Sequence, residues 1–242
     1  MIKAVLFDLD DTLLGNEVDT FMKQYFALLG DYARPYLDRQ QFLACLVQST
    51  RATIANVDPA LSNADVFWAT FEALTHLRRA EMEPFFVGFY EREFPRLRSA
   101  TRVRPEAEPL VSRAFEAGLQ VVIATNPLFP RTAIEQRLAW AGVPVDRYPY
   151  ALVTTYENMH AAKPQPAYYR EILDTIDVEP GEAIMVGDDW GNDIVPAAGL
   201  GLATYWVAPD GAAPPAPLAR GHGSLADLQR LLDDGWLERL AS

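Results

Sequence analysis

The segment IKAVLFDLDDTL, residues 2–13, joins a short apolar run to three carboxylates, Asp8, Asp10 and Asp11. Ile2, Ala4, Val5 and Leu6 read as a strand buried on both faces, and the acids then fall at its carboxyl end. Two like charges about 4 Å apart repel by roughly 4 kcal/mol at an effective dielectric near 20, so a folded cluster needs a compensating cation or a raised pKa. The stretch therefore predicts both a buried strand and a positive partner for its tip.

Four further segments share the character of this strand: LQVVIAT (119–125), YALVT (150–154), AIMVG (183–187) and LATYWV (202–207). All are short, mostly apolar and rich in β-branched residues, as strands of a parallel sheet are. Helical patterns separate them, over 106–117 with Gly118 as a stop, over 130–141 with Gly142, and over 166–176. Strand followed by helix, repeated, predicts an α/β fold with a doubly wound parallel sheet.

One stretch breaks the alternation. From about Gly15 to Arg102 apolar residues recur at three- and four-residue steps, as in Phe21, Met22, Tyr25, Phe26 and Leu29, or Phe67, Phe71, Leu74 and Leu77. The length exceeds any single crossover, and the division expected is a core of 1–14 and 103–242 with an inserted all-helical domain over 15–102. Near the other end, a Pro/Gly/Ala-rich loop (208–223) precedes a final helix, with Ser224 and Asp227 as a capping pair and Leu225, Leu228, Leu231 and Leu232 as its buried face.

The chain has 242 residues, enough for one substantial core plus a smaller insert. Half of the residues are hydrophobic and 22% are charged, which excludes a disordered composition. The net charge of −12 weighs against nucleic acid or an anionic membrane as partner. Cys45 is the single cysteine, so neither an intrachain disulfide nor a cysteine-based zinc site is available. No uncharged apolar stretch of about 20 residues occurs, and the chain enters its first strand without a leader pattern. A cytoplasmic location is expected.

In open α/β sheets ligands bind beyond the carboxyl ends of the strands. Polar residues collect there: Asp8 and Asp10 after the first strand, Thr125 and Asn126 after the second, Asp188 and Asp189 after the fourth, with Asp193 close behind. Lys163 lies in the loop that opens the preceding helix. DLDDT (8–12), TN (125–126), KP (163–164) and GDDWGND (187–193) together resemble the four motifs of the haloacid dehalogenase-like (HAD) hydrolase superfamily, in the right order across the whole core. The helical insert resembles that superfamily's C1-type cap on a Rossmann-like core.

The resemblance implies a phosphatase working on a small phosphorylated metabolite. Asp8 would be the nucleophile that forms an aspartyl-phosphate, and Asp10 the acid and then the base. Thr125, Asn126 and Lys163 would hold the phosphoryl oxygens. A hard cation such as Mg²⁺ would gather Asp8, Asp188 and the backbone carbonyl of Asp10. Asp193 would orient metal-bound water or Lys163, and Asp189 could replace or support Asp188. Family members that displace halide lack an acid at the position of Asp10, since a departing halide needs no proton.

Three other readings compete. A phosphotransferase or phosphomutase would use the same residues; a signal receiver also uses acids, a Thr and a Lys, but without the long insert; a binding protein could retain the fold without the chemistry. Among individual residues, His160 is read as a loop residue near the entrance, Trp190 as packing and Cys45 as core. The arginines from Arg78 to Arg104 are interleaved with Glu81, Glu83, Glu91 and Glu93 and read as an ion-paired, solvated surface.

Overall fold

β1 (Ala4–Phe7) is buried along its full length because it has parallel neighbours on both sides: Ala4 pairs with Gln120 of β4 (Gln120–Ile123) and with Ala183 of β6 (Ala183–Gly187). The computed structural model describes residues 1–16, 18–209 and 211–240. The sheet continues outward through β5 (Leu152–Val153) on one side and through β7 (Ala203–Val207) and β8 (Gly221–Gly223) on the other, in the order β5-β4-β1-β6-β7-β8, parallel throughout.

Helices α5 (Ala107–Glu116), α6 (Arg131–Trp140), α7 (Pro166–Ile176) and α8 (Val195–Gly199) alternate with these strands, completing the doubly wound arrangement. Chain order reverses at β1, whose carboxyl end is therefore the switch point where such sheets bind ligands.

Four helices, α1 (Val18–Tyr32), α2 (Arg39–Ala55), α3 (Asn63–Thr75) and α4 (Arg79–Arg92), occupy the long break in the alternation. Asp38 caps α2 through the amides of Gln40 and Gln41, and Ser62 with Asp65 forms a reciprocal capping box on α3. The two strands that lead into and out of this segment pair with each other: β2 (Leu14–Asn16) lies antiparallel to β3 (Thr101–Val103), with Gly15 opposite Arg102. Phe21, Phe42 and Phe71 of the helices and Val121, Ile134 and Val186 around the sheet belong to one apolar cluster, so the segment shares a continuous core with the sheet.

The expected strand over 119–125 shortens to 120–123, that over 150–154 to 152–153, and that over 202–207 starts at Ala203. Beyond those bounds the chain has already turned into loops that carry polar residues. The 208–223 stretch, expected as loop, ends in the edge strand β8 (Asp210 lies outside the described residues). The Ser224–Asp227 capping box opens α9 (Leu225–Asp233), but only Leu225 and Leu228 are buried; Leu231 and Leu232 are half-buried at its rim, where α10 (Trp236–Leu240) follows. Among the described residues, no helix is long and apolar enough to cross a membrane.

Candidate active site

The turn that follows β1 is folded by its own acids. Asp11 adopts a left-handed conformation (φ 54°), which a short polar side chain tolerates better than a bulky one, and its Oδ1 accepts the Asn16 amide at 2.9 Å. The Leu14 amide closes the loop on the Leu9 carbonyl at 2.8 Å. The Asp8 amide donates to the Val186 carbonyl at 2.9 Å, which locks the end of β1 beside the end of β6 and leaves the Asp8 carboxylate facing the switch point.

Lys163 meets Asp8 there. Its Nζ lies 2.8 Å from Asp8 Oδ1 and 2.6 Å from Asp193 Oδ1, and all three side chains are at least nine-tenths buried. Asp193 is held by its own turn, since its Oδ2 accepts the Asp189 amide at 3.1 Å. Asp188 receives the Thr12 hydroxyl at 3.2 Å, and its carbonyl accepts the Trp206 indole N–H at 2.8 Å. Carboxylate oxygens of Asp8, Asp188 and Asp193 lie within 4.8 Å of one another.

The cluster is under electrostatic load. Burial pushes the Asp8 carboxyl well above the usual carboxylate range, Lys163 opposes this, and Asp193, Asp188 and Asp10 add to it. Burial likewise raises Asp188, to about 7, with Asp193 and Asp11 contributing. Asp193 is also raised by burial against the pull of Lys163. Burial disfavours the Lys163 ammonium, yet Asp193 and Asp8 outweigh it and hold its pKa well above the ordinary value. The Lys163 ammonium contacts two of the three carboxylates, and a set of hard oxygen donors with a surplus of negative charge fits a hard divalent cation. Among the described residues, Asp8 and Asp188 each have one oxygen bonded by a side-chain donor, the other being the oxygen that would ligate such an ion, whereas Asp193 has both oxygens engaged.

Asp10 stands apart from this triad. Its Oδ2 lies 2.5 Å from Arg137 Nη1 and its Oδ1 accepts Asn16 Nδ2 at 2.9 Å. Arg137, on α6, is almost wholly buried, stacks over the Phe129 ring with its guanidinium carbon 4.7 Å from the centroid, and among the described residues has no partner for Nε or Nη2. Thr125 is buried at the end of β4, and its carbonyl accepts Thr154 Oγ1 at 2.7 Å and the Tyr168 hydroxyl at 2.8 Å. Asn126 is half-buried, with Oδ1 unpartnered.

Other residues singled out in the sequence lie elsewhere. Asp189 is exposed and turned back on its own loop, where Oδ1 accepts the amides of Gly191 and Asn192; it caps a turn and is not part of the carboxylate triad. His160 is bound to Glu171 of α7, 2.6 Å away. Trp190 packs edge-on against Trp206, and Cys45 is buried on α2. Arg78, Arg79 and Arg96 pair with neighbouring acids on the surface. Arg104 instead reaches toward Asp11, at 3.8 Å.

Asn16 and Arg137 were not singled out from the sequence. A signal for Arg137 existed: it sits in step with Ala133, Ile134 and Leu138 on the buried stripe of α6, where a cation is out of place unless it has a buried partner.

The haloacid dehalogenase-like hydrolase family matches residues 2–201 of the chain. The chain belongs to this family of hydrolases. Pyrophosphatase PpaX of Bacillus velezensis is 24% identical over 207 residues, covering 86% of this chain and 83% of the relative. Among solved structures, a HAD phosphatase from Thermococcus onnurineus matches with a TM-score of 0.60 and 22% identity, over 96% of this chain and 98% of that one. A 2-haloacid dehalogenase from Pseudomonas syringae pv. Tomato matches with a TM-score of 0.62 and 21% identity, over 97% and 100%. The two structural relatives carry different chemistries on one fold, so this HAD-like hydrolase is assigned its reaction from its own site.

Proposed function

We propose that this HAD-like hydrolase is a Mg²⁺-dependent phosphatase that removes the phosphoryl group from a small cytoplasmic phosphorylated metabolite through an aspartyl-phosphate on Asp8. The observation that carries the reading is the contact of Lys163 Nζ with Asp8 Oδ1 at 2.8 Å inside a triad of acids drawn from opposite ends of the chain. The name of the PpaX relatives supports phosphate chemistry.

In the first step an Asp8 oxygen bonds to phosphorus as the bond from phosphorus to the alcohol oxygen breaks, and Asp10 gives that oxygen a proton. In the second, water attacks phosphorus, Asp10 takes its proton, and the bond to Asp8 breaks to release inorganic phosphate. Lys163, Thr125 and the amides beside Asn126 hold the phosphoryl oxygens, where transition-state charge accumulates. Asp8 and Asp188 would hold Mg²⁺ together with the Asp10 carbonyl, and the ion would offset the charge of the acids and of the phosphoryl group. Asp193 fixes Lys163 rather than the substrate. The inserted helices act as a cap that excludes water and selects the alcohol.

The test is turnover of 4-nitrophenyl phosphate. Activity is expected only with Mg²⁺ and is expected to vanish in Asp8→Asn; metal-independent turnover, or an active Asp8→Asn protein, overturns the reading.

A further inference from the structure

A cavity of about 350 Å³ lies between the inserted helices and the loops that follow β4 and β5, within the size range of small-molecule sites. Its walls come from Phe26, Leu46, Phe67, Trp68 and Phe86, and its floor from Leu128, Phe129, Pro130 and Tyr156. Most of its few polar groups are already engaged. The hydroxyls of Tyr25 and Tyr90 bond each other at 2.9 Å, and Tyr156 accepts the Trp68 indole N–H at 3.3 Å. Glu83 pairs with Arg79, and Glu157 accepts the Arg131 amide. Burial pushes the Tyr25 phenol up to about 12, so this hydroxyl stays neutral. Arg51 stands exposed at the rim.

None of the carboxylate triad lines the cavity, and its link to the acids runs through the loop after β4. Leu128 follows Asn126 by two residues, and the Phe129 ring that lines the floor is the ring beneath Arg137, which in turn holds Asp10 at 2.5 Å. A sugar or a second phosphate would lose its water there and, away from Arg51 at the rim, find few donors or acceptors in exchange.

We propose that this cavity receives the leaving group, and that the substrate is a phosphate monoester of an aromatic or other bulky apolar alcohol. The proposal rests on the phosphatase reading and narrows it. It also separates this chain from a pyrophosphatase, whose leaving group is itself an anion.

The experiment compares 2-naphthyl phosphate with ribose 5-phosphate, pyrophosphate and methyl phosphate, in the wild type and in Thr50→Trp and Val47→Phe, which place bulk at the cavity wall away from the acids. The wild type is expected to show a kcat/KM at least about tenfold higher for 2-naphthyl phosphate than for the other three. Both variants are expected to raise KM for 2-naphthyl phosphate about tenfold or more while leaving methyl phosphate within about twofold. Calorimetric titration of Asp8→Asn with 2-naphthyl phosphate should show saturable binding that is lost when Thr50→Trp is added, and thermal melts verify that each variant is folded.

Equal or better turnover of ribose 5-phosphate or pyrophosphate, or variants that impair methyl phosphate as much as the naphthyl ester, overturns the apolar assignment. If Asp8→Asn retains turnover, the phosphatase reading itself fails. If Asp8→Asn is inactive and the preference is for a polar ester, only the inference drawn from the cavity fails.

Discussion

Arg137 is a buried cation with an unusual allotment of partners. Among the described residues only its Nη1 has a protein acceptor, and the guanidinium lies over the face of Phe129. Removing one partner of a buried ion pair leaves the other charge uncompensated and destabilises the fold, here to a degree limited by the 31% exposure of the Asp10 side chain. Groups that orient a reacting side chain from behind also typically matter by 10- to 100-fold in activity. Arg137→Met is therefore expected to melt below the wild-type temperature while remaining folded, and its kcat/KM to fall about 10- to 100-fold. Melting curves beside steady-state rates check this, and a folded variant with unchanged kcat/KM refutes it. The acids of the site were legible in the sequence because they cluster at strand ends with fixed spacings. Arg137 was not, because its partner is 127 residues away and a charge on a helix is ordinarily read as solvated.

At the level of the element, the end of β6 shows how a strand and the turn after it make a site together. Gly187 closes the strand, and a methyl group placed on it would stand 2.2 Å from Asp193 Oδ2 and 2.7 Å from its Cβ. The Asp193 side chain occupies the space that a larger residue would need, and this approach brings Asp193 to Lys163. Gly187→Ala is expected to cost about 1–3 kcal/mol by overpacking and to reduce activity more than 10-fold by shifting Lys163 from Asp8. Gly181→Ala, where a methyl group meets nothing within 4 Å, serves as control and should leave both unchanged. Denaturant titration with rate measurements would show it; a Gly187→Ala protein as active as the control would sink the argument.

Elements differed in how readable they were for a physical reason. α7 was legible to the residue because an apolar stripe and an N-terminal proline define it. The β2–β3 ribbon was invisible because two three-residue strands, one with a central glycine, pair across a long, mostly helical insert, and neither carries an alternating pattern. β8 escaped for a similar reason, since GHG has no apolar side chain and depends on the β7 edge for its shape.

Across the whole molecule, the carboxylate cluster makes stability depend on pH in a direction opposite to ordinary acid denaturation. The Asp188 carboxyl titrates near 7 in the folded protein, against about 4 when unfolded, so the folded state binds its proton more tightly. Its contribution is fully present below about pH 4 and is lost as pH rises through about 7. In chelator-treated buffer, the stability of the wild type relative to Asp188→Asn should therefore fall between pH 4 and pH 7, and Mg²⁺ should restore it at pH 7 and above. Melting temperatures of the two proteins across that range, with and without Mg²⁺, test the claim, and a difference independent of pH would refute it. The overall architecture was readable because repeated strand–helix alternation constrains topology strongly. How tightly the inserted helices share their apolar cluster with the sheet was not, because periodicity identifies a buried face without naming what covers it.

The pairing of β2 with β3 has a consequence for how such an enzyme can diversify. Because the outgoing and returning backbones run side by side, the scaffold offers a docking port of fixed width whatever is threaded between its two lips. Mutation and recombination can then rewrite the inserted helices while the acids at the carboxyl ends of β1 and β6 keep their registration.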